Sequence, residues 1–461
     1  MGNEAAVKKL PTRSEIKVED TWRLEDIFPT DDAWEKEFQD VKELVPGVTA
    51  YQGKLADSAN VLYEALQKQD QLLERISKLY TYAHMRYDQD TTNSFYQGLD
   101  ARIKALYSQV ASALAYIVPE ILSIDEEKVK AFLNEKEELK LYEHALEEIN
   151  LQRPHVLTAE QEALLAEASE VMNASSNTFG MLNNADLEFP SIPLGEDYLN
   201  VLKEGFDNRW VDVHENKGKR SGAYSSGTYG TNPYILMNWQ DNVNNLFTLA
   251  HEFGHSVHSY YTRKTQPFAY GDYSIFVAEV ASTCNEALLN DYMLKTIDDE
   301  KKRLYLLNHY LEGFRGTVFR QTMFAEFEHL IHQKAQNNEA LTAELFTKEY
   351  YDLNVKYFGK ENMSIDEEIG LEWARIPHFY YNYYVYQYAT GFSAATALSK
   401  QILEEGQPAV DRYLEFLKSG SSDYPIEVLK KAGVDMTSST PIEEACKVFE
   451  EKLNEMESLL S

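Results

Sequence analysis

Apolar positions recur at helical spacing along most of the chain. From residue 21 to about 178 the pattern is helical almost throughout. Thr30 and Asp31 can cap a helix that runs through Trp34 and Phe38. Residues 58–87 place Leu62, Leu66, Leu72, Ile76 and Leu79 on one helical face, and a further helix is predicted over 94–117, stopping before Pro119. After the break at Arg153 and Pro154, Thr158 with Gln161 forms a capping box. Residues 173–195 change character: they are rich in Asn and Ser, and then Pro190, Pro193 and Gly195 fall too close together for a helix to continue. The main boundary is placed there. A short helix is predicted over 197–206, followed by a Gly/Ser/Tyr-rich stretch at 221–229 and one convincing strand at 233–239, PYILMNW. From Val243 to the end the pattern is again mostly helical. The expected fold is therefore mainly α, a multi-helix body with one small β-sheet, divided into a polar arm (1–20), a helical domain (21–190) and a second domain (195–461).

The helix predicted after that strand carries the chemistry. Residues 246–262 read LFTLAHEFGHSVHSYYT, with Leu246, Leu249, Ala250, Phe253 and Val257 as the apolar face. Within it stands His251-Glu252-Phe-Gly-His255, an H-E-x-x-H match. Residues four apart lie one turn above each other, about 5–6 Å apart at Cβ. Two imidazoles so placed can converge on one zinc ion at about 2.0–2.1 Å. Glu252, one step round the helix, can take a proton from a water held by the metal. With eleven histidines in 461 residues, a chance match to this pattern is uncommon. Gly254 costs a helix about 1 kcal/mol relative to Ala, which is easier to explain if something approaches closely there.

Catalytic zinc needs a third protein ligand. A metzincin continuation would require Gly at 258 and His at 261; the chain has His258 and Tyr261. Glu279, in an apolar setting a loop and a return helix beyond His255, is the better candidate, because an acid among apolar neighbours needs a partner. Glu286, seven residues on, is either an acceptor for a ligand histidine or an exposed acid. His258 is read as structural or supporting rather than as a ligand.

Charge and cysteine usage narrow the classes. Lys and Arg number 44 against 75 Asp and Glu, a formal net charge of −31, which opposes nucleic-acid binding. No apolar run approaches the roughly 18 residues needed to cross a bilayer, and the first fifteen residues have no secretory pattern, so a cytoplasmic location without membrane partners is expected. Two cysteines, Cys284 and Cys446, are too few for a disulfide framework, and Cys284 sits in an apolar stretch as a small core residue.

Residues 373–392 read WARIPHFYYNYYVYQYATGF, with six tyrosines among the nine residues 380–388. Most fit an amphipathic helix packed through its rings. Peptide hydrolysis passes through an oxyanion, and a fixed phenol or imidazole aimed at it stabilises the transition state by about 3–4 kcal/mol. His378, after Pro377, is the best imidazole candidate; spacing does not choose among the tyrosines.

Four stretches together, HEFGHSVHSYY, AEVAST around Glu279, RSGAYSSG to PYILMNW at 220–239, and RIPHFYYNYYVYQYATG at 375–391, resemble the oligoendopeptidase F family of the thimet oligopeptidase group. The resemblance covers residues 21–190 and 195–461. It implies a helical fold with a deep channel for short peptides and a catalytic zinc-peptidase domain at 195–461. It also implies one zinc ion per chain held by His251, His255 and Glu279, with Glu252 as general base. The family's transition-state donors map to His378 and Tyr386, with Tyr383 or Tyr384 as alternatives, and the 220–239 segment becomes a wall on which substrate pairs as an added strand. One departure stands out: a long segment usual in the family is absent near 190–195. An active endopeptidase is the leading expectation, with a carboxypeptidase or dipeptidase, or a zinc-binding peptide-binding protein without turnover, as alternatives.

Overall fold

The computed structural model describes residues 10–155, 195–361 and 363–461. The Thr158–Gln161 capping box and the Pro190–Pro193 boundary lie outside them.

The first helices begin where a polar side chain closes an amide. Thr30 caps α1 (Asp31–Thr49) by accepting from Ala33 N at 3.1 Å, Ser58 caps α2 (Ala59–Asp88) through Val61 N, and Asn93 caps α3 (Ser94–Leu114) through Phe95 N. α3 stops short of the predicted end, and a new helix, α4 (Ile117–Ser123), starts instead. Pro119 lies in its first turn, where the missing N–H has no intrahelical partner to lose. α1, α2 and α3 close on Trp34, Phe38, Leu72, Ile76, Leu79, Tyr82 and Ile103. α4, α5 (Glu126–Glu135) and α6 (Glu143–Leu151) build a second core around Leu62, Ile121, Val129 and Phe132. Contrary to the sequence expectation, the stretch Ser94–Ser123 is long and apolar enough to cross a membrane by length and composition. Here its Ile103, Leu106, Val110, Ile117 and Ile121 fill these two cores.

Asp70 of α2 is half-buried and accepts a hydrogen bond from the Tyr142 hydroxyl at 2.7 Å. Burial pushes its carboxyl up to about 6. Between about pH 4 and 6 the unfolded chain has released this proton while the folded chain keeps it, so stability falls as pH rises through that window. Asp70→Asn keeps the acceptor and removes the titration. We expect it to be more stable than wild type above pH 6 by on the order of 2 kcal/mol, with the difference closing below pH 4; urea melts across pH check this.

After α7 (Gly195–Asp207) come three short strands, β1 (Val211–Asp212), β2 (Tyr224–Ser226) and β3 (Tyr234–Leu236), in the order β1-β3-β2. β1 runs parallel to β3, pairing Val211 with Ile235; β2 runs antiparallel, pairing Ser225 with Ile235, and β2 is left at an edge. β1 is only two residues long, too short for the periodicity of the sequence to reveal. β3 alternates with period two: Tyr234 and Leu236 enter the core of α1–α3, while Ile235 and Met237 enter the core of the second half. The two halves are thus joined through one central strand.

Residues 10–20, expected as a polar arm, are anchored on this sheet. Val213 N donates to Asp20 O and Lys217 N to Pro11 O. Arg13 and Lys219 both pair with Asp212, which is fully buried. Burial opposes ionisation of Asp212, but Lys219 and Arg13 outweigh it and hold its pKa below the ordinary value.

The second half is helical: α8 (Val243–Thr265), α9 (Ile275–Thr296), α10 (Glu300–Phe314), α11 (Arg320–Gln336), α12 (Ala343–Phe358), α13 (Tyr386–Glu405), α14 (Gln407–Lys418), α15 (Pro425–Lys431) and α16 (Thr440–Leu460). A π-helical turn, Arg315–Phe319, links α10 to α11. α8, α9, α13 and α14 enclose the largest core, in which Cys284 is buried as expected.

Candidate active site

α8 and α9 touch where α8 has no side chain. A methyl group built on Gly254 would stand 2.5 Å from Ser282 Cα and 2.7 Å from both Ala281 O and Ser282 N. The glycine thus has a cause: what approaches closely there is the backbone of α9. Asn285 Nδ2 donates to Ala250 O at 2.9 Å and locks the same crossing. This contact carries Glu279 of α9 to the histidines of α8.

His251 Nε2 and His255 Nε2 are 3.2 Å apart, and Glu279 Oε2 lies 3.3 Å from the first and 3.5 Å from the second. These three residues form the candidate metal cluster among the described residues. Donors on a tetrahedral zinc at about 2.0–2.1 Å stand roughly 3.3 Å from one another, so the triangle has the size one ion requires. Burial would raise Glu279, but the imidazoles of His251 and His255 hold its carboxyl far below the usual range, in the ionised form a ligand needs. Ser282 Oγ also donates to Glu279 Oε2 at 3.0 Å.

Glu286 is resolved as an acceptor: its Oε1 lies 2.6 Å from His251 Nδ1. This bond turns His251 Nε2 toward the cluster. Burial opposes a charged His251, but Glu279 and Glu286 outweigh it and raise its pKa well above the ordinary value. Glu286→Ala is expected to weaken binding of a divalent metal at the cluster by about 10–100-fold, read by competition with a coloured chelator. His258 is no ligand: its ring lies flat on Tyr273, centroids 3.6 Å apart, and burial pushes its pKa well below the ordinary value.

Glu252 is buried, 7% exposed, behind the edge strand. Burial raises its pKa, while the two histidines and the backbone of Ser225 on β2 favour the ionised form. Ser225 Oγ lies 2.8 Å from Ser256 Oγ, fixing β2 to α8.

The tyrosine cluster is not one helix. Pro377–Tyr380 form a single 3-10 turn, Asn382 and Tyr383 follow at φ 48° and 57°, and α13 begins only at Tyr386. Two successive non-glycine residues in the left-handed region store strain, of order 1–3 kcal/mol each. This kink decides which phenol meets His378. The Tyr388 hydroxyl lies 3.5 Å from His378 Nε2 and 3.3 Å from the Tyr384 hydroxyl, and the Tyr384 ring stacks along that of His378. Burial first, then Tyr384 and Glu279, raise the Tyr388 pKa, so the phenol is protonated and feels the cluster's charge. Tyr386, which the family resemblance favours, packs against Phe276, and Tyr383 lies against His329 and His332. Burial lowers the His378 pKa and favours the neutral imidazole. Spacing along the chain does not single out Tyr388, because a continuous helix through 380–388 starts the helical register too early.

A mainly helical body with a buried H-E-x-x-H helix and a carboxylate from the crossing helix defines a metallopeptidase. Residues 43–448 match the model of Peptidase family M3, and the chain belongs to that family. It is similar to Oligopeptidase PepF of Bacillus subtilis, at 56% identity covering all of this chain and 90% of PepF. That alignment runs over 604 residues, more than the 461 here, so PepF carries sequence without a counterpart in this chain. Group B oligopeptidase PepB of Streptococcus agalactiae is 36% identical over 97% of this chain and 98% of its own. The solved oligoendopeptidase-F from Enterococcus faecium superposes with a TM-score of 0.65 at 34% identity, covering 93% of this chain and 99% of that one. The chain is a metalloendopeptidase of oligopeptides.

Proposed function

We propose that the metal is one zinc ion per chain, held by His251, His255 and Glu279, and that peptides are hydrolysed beside it. The observation that carries this reading is the 3.2, 3.3 and 3.5 Å triangle of donor atoms with the buried Glu252 next to it. Zinc there supplies Lewis acidity toward water and the scissile carbonyl. Glu252 takes the proton from the attacking water and later delivers it to the leaving amine. His378 and Tyr388 donate to the developing oxyanion; Tyr388 holds the role that the family resemblance gives to Tyr386. The open edge of β2 lies beside Glu252 and supports pairing with an extended peptide backbone.

The reading includes a cytoplasmic setting and no nucleic-acid or membrane partner. It places the sequence that PepF has and this chain lacks near residues 190–195, where it would form part of a channel wall.

The test is hydrolysis of an internally quenched peptide of about ten residues, with products mapped and metal quantified. Internal cleavage that a chelator abolishes and zinc restores is the expected result. Turnover that survives full removal of the metal would overturn the reading. Stoichiometric zinc with an intact, bound peptide would make it a binding protein whose shortened chain has lost turnover.

A further inference from the structure

Glu328 of α11 is an acid where the fold gains nothing obvious from one. It is 1% exposed, and its Oε2 finds no hydrogen-bond partner among the described residues. Burial raises its pKa above the ordinary value. A buried carboxylate with an unsatisfied oxygen is costly, on a helix whose Phe324 and Phe327 belong to an apolar core. Its Oε1 accepts the Tyr383 N–H at 2.5 Å.

Tyr383 is the residue that most needs holding. It follows Asn382 in the left-handed region, which Asn tolerates and a bulky aromatic does not. α11 grips it three times: Glu328 takes its amide, the His332 ring stacks on its ring with centroids 4.7 Å apart, and His329 Nδ1 lies 3.5 Å from its hydroxyl. On either side of the kink, Ile376 and Val385 are buried in the α11–α12 core, and Phe379 packs against Phe324 and Phe327. His378 stands before the kink and Tyr384 and Tyr388 after it. Their mutual geometry therefore depends on the two left-handed residues between them.

We infer that Glu328 is a positioning residue for catalysis: it holds the strained Asn382–Tyr383 kink, and through it sets His378 and Tyr388 against each other at the metal site. The inference rests on the reading of His378 and Tyr388 as oxyanion donors. Glu328 itself touches neither substrate nor metal. With its acceptor removed, the kink relaxes toward ordinary backbone angles and the pair separates, at a distance from the metal ligands and from the edge strand.

The test compares kcat, KM, zinc content and melting temperature for Glu328→Ala, Glu328→Gln, Glu328→Ala combined with Asn382→Gly, and Tyr388→Phe. Glu328→Ala is expected to lower kcat by about 10- to 100-fold with KM and zinc within twofold of wild type, the scale of an ångström-sized misplacement. Glu328→Gln keeps an acceptor oxygen and retains activity within a few-fold. Asn382→Gly removes part of the strain, so in the Glu328→Ala background it recovers at least several-fold in kcat, which a general loss of packing would not allow. Tyr388→Phe lowers kcat in parallel. A wild-type kcat in Glu328→Ala beside an impaired Tyr388→Phe overturns the role of Glu328 alone. So does a loss in Glu328→Ala that comes with lost zinc or a lowered melting temperature and that Asn382→Gly leaves unrepaired. A Glu328→Gln variant as impaired as Glu328→Ala overturns it too. Full activity in Tyr388→Phe overturns the donor reading and this inference with it.

Discussion

Replacing Glu252 by glutamine is expected to lower kcat for peptide hydrolysis by about 10²–10⁴-fold while zinc stays at one per chain. The amide has the same shape, but it cannot take a proton from water. Glu252 is not a metal donor in this geometry: the converging atoms belong to His251, His255 and Glu279. Metal content and activity should therefore part company in this variant. Stability should not fall. The amide fills the same buried volume as the carboxyl, so the packing around it is kept. Kinetics on the quenched peptide, a zinc assay and a thermal melt on one preparation test all three points. Retained turnover would exclude Glu252 as the base. Loss of zinc together with activity would mean that the site had been disturbed rather than disarmed.

The second large effect is expected at Gly254, which abuts the backbone of α9 and not the metal donors. Gly254→Ala places a methyl 2.5 Å from Ser282 Cα and 2.7 Å from two further backbone atoms of α9. Backbone cannot swing aside as a side-chain tip does, so the two helices must separate. Overpacking of this kind costs about 1–3 kcal/mol, and the gain in helix propensity, about 1 kcal/mol, offsets part of it. The larger consequence falls on the metal. His251 and His255 ride on α8 and Glu279 on α9, so separation opens the triangle on one side only. Zinc affinity is expected to drop at least tenfold, with a modest fall in melting temperature, as read by chelator competition and calorimetry. Wild-type affinity in this variant would show that the crossing does not set the donor geometry.

Much of the site was legible in the sequence because its parts lie within one turn of each other. An i, i+4 pair of histidines on an amphipathic helix fixes its own geometry, whatever the helix packs against. Glu252 follows from the same register. Glu279 was legible in another way: an acid among Val277, Val280 and Ala281 demands a partner, and the nearest long helix upstream supplies two imidazoles. The helix starts at Thr30, Ser58 and Asn93 were likewise written locally, since a cap bonds an amide two or three residues away.

Where the outcome depended on contacts between elements, the sequence left it open. Glu286 could equally have faced solvent; only the crossing of α8 and α9 brings it within 2.6 Å of His251. Which phenol stands beside His378 turns on two left-handed residues, and left-handed backbone at Asn382 and Tyr383 has no marker in a run of aromatic residues. β1 is two residues long and exists because β3 offers it a parallel edge. β3 itself reads as a buried strand, yet that its two faces enter two different cores is a property of the assembled protein. By itself the sequence determined the helical class, the caps and the chemistry on α8, because those follow from interactions spanning a few residues. The tertiary structure decided how the donor triangle closes and which phenol stands beside His378, because those follow from packing between segments whose spacing along the chain carries no information about their distance in space.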